Sequence, residues 1–138
     1  ESYIKNEYQK LDIYKRIAAI ESEEEMDDMI EELIDRFGDI PKKVELLLEV
    51  ARLKNLAHQA YVTEVTQKGV TYTFRMYEKA KIHVERIPDL LKQFPEDLSF
   101  KSDPKFIYQR KKKTKRGEVE NPIEVVKKVL IGIKGLLD

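Results

Sequence analysis

The residues of this chain that could do chemistry are few, and their spacing forms no catalytic site. His58 and His83 are the two histidines, and they do not stand in an H-x-x-x-H ligand spacing. The five glycines form no G-x-G-x-x-G or G-x-x-x-x-G-K-[ST] phosphate loop. The absence of cysteine excludes disulfides, thiol catalysis and thiolate metal sites. We therefore expect a non-enzymatic chain with no catalytic, cofactor-binding or metal-binding residues.

Acidic residues form the first of two charged runs. Eight of the twelve residues from Glu21 to Glu32 are acidic. A calcium-binding loop would need a glycine among its ligands, and none stands here. The spacing is instead typical of a charged helix face exposed to solvent.

Basic residues form the second run. Six of the seven residues from 110 to 116 are basic, and clustered cations favour nucleic acid because they release counterions from phosphates. The run lacks the interleaved aromatic residues or the presenting helix that base contact requires. An accessory DNA-contacting role is therefore kept as an alternative function. Its candidate residues are Arg110, Lys111, Lys112, Lys113, Lys115 and Arg116.

The two halves of the chain carry opposite charges. Residues 1–60 have 9 Lys+Arg against 15 Asp+Glu, a net of −6, and residues 61–138 have 17 against 11, a net of +6. This asymmetry indicates either mutual attraction or two surfaces that face differently charged partners. No run of about 18 apolar residues is present, so we expect no membrane segment, no signal peptide and a cytoplasmic location.

Three helices are predicted to position the acidic run. Ser22 and Glu25 form a capping box that starts the second helix near Glu23. Gly38 is expected to close this helix and Pro41 to open the third, which places an elbow at residues 32–41. The expected buried stripe of the first helix is Tyr8, Leu11, Tyr14, Ile17 and Ile20. The expected buried stripe of the third helix is Leu46, Leu47, Val50, Leu53, Leu56 and Ala57.

A change to alternating polarity after residue 60 predicts a small antiparallel sheet. Residues 61–76 indicate a β-hairpin with its turn at Lys68-Gly69, and two more strands are expected at 98–101 and 105–109, after a short helix at 87–94. Asn121-Pro122 predicts the start of a last helix. Its expected buried residues are Ile123, Val126, Leu130, Ile133 and Leu137. We therefore expect an α+β fold in one domain, 1–138. Its parts are a helical lobe at about 6–60, a sheet lobe at about 61–110, a basic loop at 110–117 and a last helix at about 122–137.

The elbow and its flanks resemble the C-terminal domain of bacterial transcription-repair coupling factors. The matching stretches include Glu32-Leu33-Ile34-Asp35-Arg36-Phe37-Gly38 with Pro41, and the similarity is strong over about residues 3–60. The other matching residues are Leu11, Tyr14, Lys15, Arg16, Leu47, Leu48, Ala51, Arg52, Leu53 and Ala57. This family often has a glycine soon after the third helix, where this chain has Gln59-Ala60-Tyr61.

The resemblance implies a regulatory function. The parent protein would be an ATP-driven DNA translocase that displaces stalled RNA polymerase and recruits the repair protein UvrA. The C-terminal domain would pack on the parent's N-terminal UvrB-like module and mask its UvrA-binding surface. Glu32, Asp35 and Arg36 are the implied partner-binding residues, with Glu32 and Asp35 placed to hold partner arginines. The same spacing also fits a brace within the domain, in which Asp35 or Arg36 anchors the elbow.

Overall fold

The computed structural model describes residues 3–110 and 120–137. The chain divides into two compact units, Glu1–Asn55 and Leu56–Asp138, and each unit is described by itself. Helices and a four-stranded antiparallel sheet confirm the predicted α+β fold. Among the described residues, no helix is both long enough and apolar enough to cross a membrane.

The first unit is helical. It contains α1 (Glu7–Ala18), α2 (Glu23–Phe37) and the start of α3 (Lys42–Gln59). The Ser22 hydroxyl accepts the backbone N–H of Glu25 at 3.1 Å, as the capping-box prediction expected. The Glu25 carboxylate accepts the backbone N–H of Glu21 at 2.8 Å, one residue before the expected position.

The buried stripes of α1 and α3 differ from those predicted. Ile17 and Ile20 are buried, but Tyr8 and Leu11 are 86% and 56% exposed. Ile13 and Ile17, four residues apart, form the face of α1 that packs into the core. In α3 the buried residues are Val44, Leu48 and Ala51, whereas Leu46, Leu47 and Val50 are exposed. Both predictions failed because these helices carry apolar residues on more than one side, so periodicity alone did not identify the inner side.

The second unit is built on a four-stranded antiparallel sheet. The strands are β1 (Val62–Lys68), β2 (Thr71–Met76), β3 (Leu98–Lys101) and β4 (Lys105–Gln109). Their spatial order is β1-β2-β4-β3, which makes β1 and β3 the outermost strands. The β1–β2 register shifts between Val62 and Glu64, and the hairpin turns at Gly69-Val70 with Gly69 at φ +63°. The sheet and the hairpin agree with the prediction, but the turn lies one residue later than the predicted Lys68-Gly69, because Lys68 pairs with Thr71 in the sheet.

Two helices complete the second unit. A 3₁₀ turn (Val84–Arg86) leads into the short helix α4 (Ile87–Lys92), and α5 (Pro122–Lys134) begins at the predicted cap, Asn121. A Cβ at Gly132 of α5 would lie 2.4 Å from Leu90 Cδ1 of α4, so glycine permits a close contact here. Leu130 and Ile133 are buried as predicted, but the other buried residues of this helical end are Val125, Val129 and Leu136. In place of these three residues, the prediction named Ile123, Val126 and Leu137.

Candidate functional site

The elbow after α2 is held in a defined shape by the backbone and by Tyr3. The N–H of Gly38 donates to Ile34 O at 3.0 Å and so closes the helix. Gly38 has φ +92° and ψ −162°, a conformation that is essentially restricted to glycine. The Tyr3 hydroxyl lies 2.7 Å from Gly38 O and 3.0 Å from Leu33 O, and its ring packs 5.6 Å from that of Phe37. The end of α2 therefore has a fixed exit direction.

Glu32 is the centre of a charged cluster at this elbow. Arg16 of α1 donates to both of its carboxylate oxygens, with N···O distances of 2.9 and 2.5 Å. Arg36, one turn further along α2, donates to Glu32 Oε2 at 2.7 Å. The side-chain exposures are 43% for Arg16, 28% for Glu32 and 40% for Arg36. Two guanidinium groups therefore share one carboxylate at the edge of the helical unit.

This cluster changes the acid–base properties of its members. The hydrogen bonds from Arg16 and then from Arg36 lower the pKa of Glu32 to about 2. The hydrogen bond to Glu32 raises the pKa of the Arg16 guanidinium. Glu32 is therefore ionised throughout the pH range in which proteins normally work.

Asp35 differs from Glu32 although it lies on the same helix, three residues further on. Its side chain is exposed, and no hydrogen bond or ion pair engages it within residues 3–110 and 120–137. Arg36 turns to Glu32 and also lies 5.0 Å from the centre of the Phe37 ring. The structure therefore brings together the three predicted site residues, with Glu32 and Arg36 in a brace and Asp35 open to solvent.

The brace includes Arg16, which the sequence analysis did not select as a site residue. The contact joins residues 16 apart on two helices, so it depends on how α1 packs against α2 and has no local spacing signal. The presence of Arg16 among the family-like residues was the single available indication. The expected brace through Arg36 is present, and its carboxylate partner is Glu32.

The surface around this cluster can attract cations. Seven acidic residues of α2 besides Glu32 are exposed: Glu23, Glu24, Glu25, Asp27, Asp28, Glu31 and Asp35. An exposed carboxylate is able to accept charge-assisted hydrogen bonds from a cationic group. In the described residues, no group of three or more His, Cys, Asp or Glu side chains could hold a metal ion.

Arg110 is the one member of the basic run within the described residues. Its Nη1 lies 3.5 Å from Glu120 Oε2, and the same carboxylate oxygen accepts the Tyr108 hydroxyl at 2.6 Å. Burial and this hydrogen bond raise the pKa of Tyr108. Lys111, Lys112, Lys113, Lys115 and Arg116 lie outside the described residues. Arg110 is thus partly neutralised by Glu120.

The sequence is similar to those of bacterial transcription-repair-coupling factors. The family model of the TRCF domain matches residues 1–87. A transcription-repair-coupling factor of Staphylococcus haemolyticus (strain JCSC1435) is 44% identical over 78 residues, which cover 56% of this chain and 7% of that protein. The one from Bacillus subtilis (strain 168) is 36% identical over 85 residues, which cover 62% and 7%. The chain thus spans less than a tenth of the length of these bacterial relatives.

A solved structure has the same fold. The crystal structure of a C-terminal domain of transcription-repair coupling factor superposes with a TM-score of 0.69. The match covers 97% of this chain and 82% of that chain at 24% sequence identity. The likeness extends beyond the residues that the family model matches and includes the sheet unit.

Proposed function

This chain belongs to the TRCF domain family, and from that premise we propose that it is a non-catalytic regulatory domain of a bacterial transcription-repair coupling factor. In this proposal the domain docks on the parent's N-terminal UvrB-like module and masks the surface that UvrA binds. The two units act together as one regulatory domain in the cytoplasm. RNA polymerase and DNA are partners of the parent rather than of this domain.

The observation that supports docking is the exposed Asp35 carboxylate beside the braced Glu32. A carboxylate with no partner among the described residues can accept a cation without first giving up a contact to any of them. The Arg36–Glu32 hydrogen bond and the Gly38 N–H bond to Ile34 O hold the helix end that carries Asp35, so little backbone order has to be gained on binding. The net charge of −6 over residues 1–60 would steer a cationic surface toward this edge.

The experiment compares Asp35→Lys with Asp27→Lys, which makes the same charge change at another exposed position of α2. Each variant of this chain is titrated into the purified UvrB-like module of the same parent by isothermal calorimetry. We expect Asp35→Lys to weaken docking at least tenfold and Asp27→Lys to change it less than threefold. Asp35 is a cleaner test than Glu32, because reversing Glu32 would also break the brace.

The full-length parent gives the functional measurement. Asp35→Lys in the full-length protein should raise UvrA binding, because an undocked domain exposes the masked surface. Absence of affinity between the wild-type chain and the module, together with unchanged UvrA binding by the variant, would refute masking through this site.

The alternative is a DNA-contacting role for residues 110–116. A steep loss of duplex affinity with salt, abolished when the basic residues of that run are neutralised, would favour it. The pairing of Arg110 with Glu120 at 3.5 Å gives this alternative no support.

A further inference from the structure

The Glu32 carboxylate is already occupied in the undocked chain. Arg16 contacts both oxygens and Arg36 contacts one of them. An ionised carboxylate offers about four lone-pair positions in total, and three of them are taken by these bonds. The three groups together carry a charge of +1, and Asp12 beside Arg16 brings the sum to zero, so Glu32 attracts a further cation less than a free carboxylate would.

Arg16 is the more easily displaced of the two arginines. Arg36 lies on the same helix as Glu32 and is also held over the Phe37 ring at 5.0 Å. Arg16 comes from another helix, and the Asp12 carboxylate, one turn back on that helix, lies 3.9 Å from its Nη1. Arg16 can therefore leave Glu32 and keep a carboxylate partner.

We propose that Arg16 is an affinity-setting residue of the docking surface, which competes with a partner guanidinium or ammonium group for Glu32. Docking displaces Arg16 from Glu32 toward Asp12, and the cost of this displacement weakens the complex. Asp35 carries no such cost, because it pairs with no residue in the part of the chain that the structure describes. This inference rests on the docking function proposed above and adds the internal competitor that keeps docking reversible.

The decisive variant is Arg16→Met, which keeps an aliphatic side chain and removes the guanidinium. Calorimetric titration into the UvrB-like module should show docking that is about two- to fivefold tighter than for the wild-type chain, the range expected for removal of one partly exposed ion pair. The matched control is Arg52→Met. Arg52 also joins two helices of this unit, through Glu23 at 3.1 Å, and its loss should leave docking unchanged.

A double-mutant cycle distinguishes competition from a general structural effect. In a Glu32→Gln background, Arg16→Met should have no further effect on docking, because the contested carboxylate is gone. Circular dichroism of each variant confirms that the helices persist. Weaker or unchanged docking of Arg16→Met would overturn the inference, and so would tighter docking that persists in the Glu32→Gln background.

A measurement without the module separates this inference from the docking proposal. Guanidinium ion, at concentrations well below those that unfold the chain, is titrated while the Glu32 side-chain carboxyl resonance is followed by NMR. Competition predicts that this resonance responds at a several-fold lower concentration in Arg16→Met than in the wild type. An equal response overturns the role of Arg16, whereas a missing interaction with the module alone overturns only the docking function.

Discussion

The guanidinium of Arg16 and the carboxylate of Glu32 form a two-point ion pair that joins α1 to α2, with N···O distances of 2.9 and 2.5 Å. A planar guanidinium matches the geometry of a carboxylate, which makes the pair directional as well as attractive. Because Glu32 also binds Arg36, one side chain fixes both the packing of α1 and the end of α2. Stability and the proposed docking are therefore linked at this position.

Replacement of Glu32 by glutamine should destabilise the helical unit by about 1 kcal/mol, because two arginines lose their shared charge partner. Urea unfolding followed by circular dichroism measures this change. The control is Glu31→Gln, which alters an exposed acid with no partner among the described residues. A cost for Glu32→Gln no larger than that of the control would contradict the brace.

The brace also predicts how stability depends on pH. The pKa of Glu32 falls from 4.5 to about 2 in the folded chain. A lowered pKa gives stability that is fully present above pH 4.5 and is lost as the pH falls toward 2. Unfolding measured between pH 6 and pH 2 should show a larger loss for the wild type than for Glu32→Gln. Parallel curves for the two proteins would mean that Glu32 has an ordinary pKa.

Alanine at Gly38 should destabilise the chain by about 1–3 kcal/mol, because φ +92° with ψ −162° is unfavourable for any residue with a Cβ. No atom lies within 4 Å of the added Cβ, so the cost would come from the backbone alone. Asp39→Ala, at the neighbouring exposed position, should cost less than 0.5 kcal/mol. Thermal unfolding of the two variants tests the difference, and equal stabilities would contradict it.

Tyr61 offers a stabilising substitution. It follows α3 with φ +59°, a conformation that costs about 1 kcal/mol for a residue with a side chain. Its half-exposed ring lies 6.4 Å from that of Tyr77, a contact that recovers part of this cost. Tyr61→Gly should therefore be about 0.5 kcal/mol more stable than the wild type, and Tyr61→Ala less stable than both. Thermal unfolding gives the order, and a glycine variant less stable than the alanine variant would refute the prediction.

The sequence was sufficient for the elements with strong local signals. Ser22 and Asn121 mark helix starts through their caps, and Gly69 indicates the hairpin to within one residue of its turn, because these structures depend on neighbouring residues. The inner faces of α1 and α3 were not predictable from periodicity, because apolar residues such as Leu11 and Leu46 remain exposed. Which stripe is buried depends on the neighbouring helices rather than on the helix itself.

For the candidate site, too, one part was predicted from the sequence and another part was not. The family-like elbow identified Glu32, Asp35 and Arg36, and the structure places all three at the end of α2. Their different environments could not be predicted, because Glu32 owes its two-point partner to Arg16 on another helix. A contact between residues that are far apart in the sequence forms only when the helices pack, so the sequence alone does not indicate it.

The outermost position of β1 has a consequence for how the domain behaves among other proteins. The outer backbone N–H and C=O groups of an edge strand can hydrogen-bond to an extended segment of another chain, and this pairing can start aggregation. The register shift between Val62 and Glu64 interrupts one end of β1, and the charged Lys68 ends the other. Only the stretch from Glu64 to Lys68 remains regular, so this edge of the sheet offers a foreign strand few consecutive residues with which to pair.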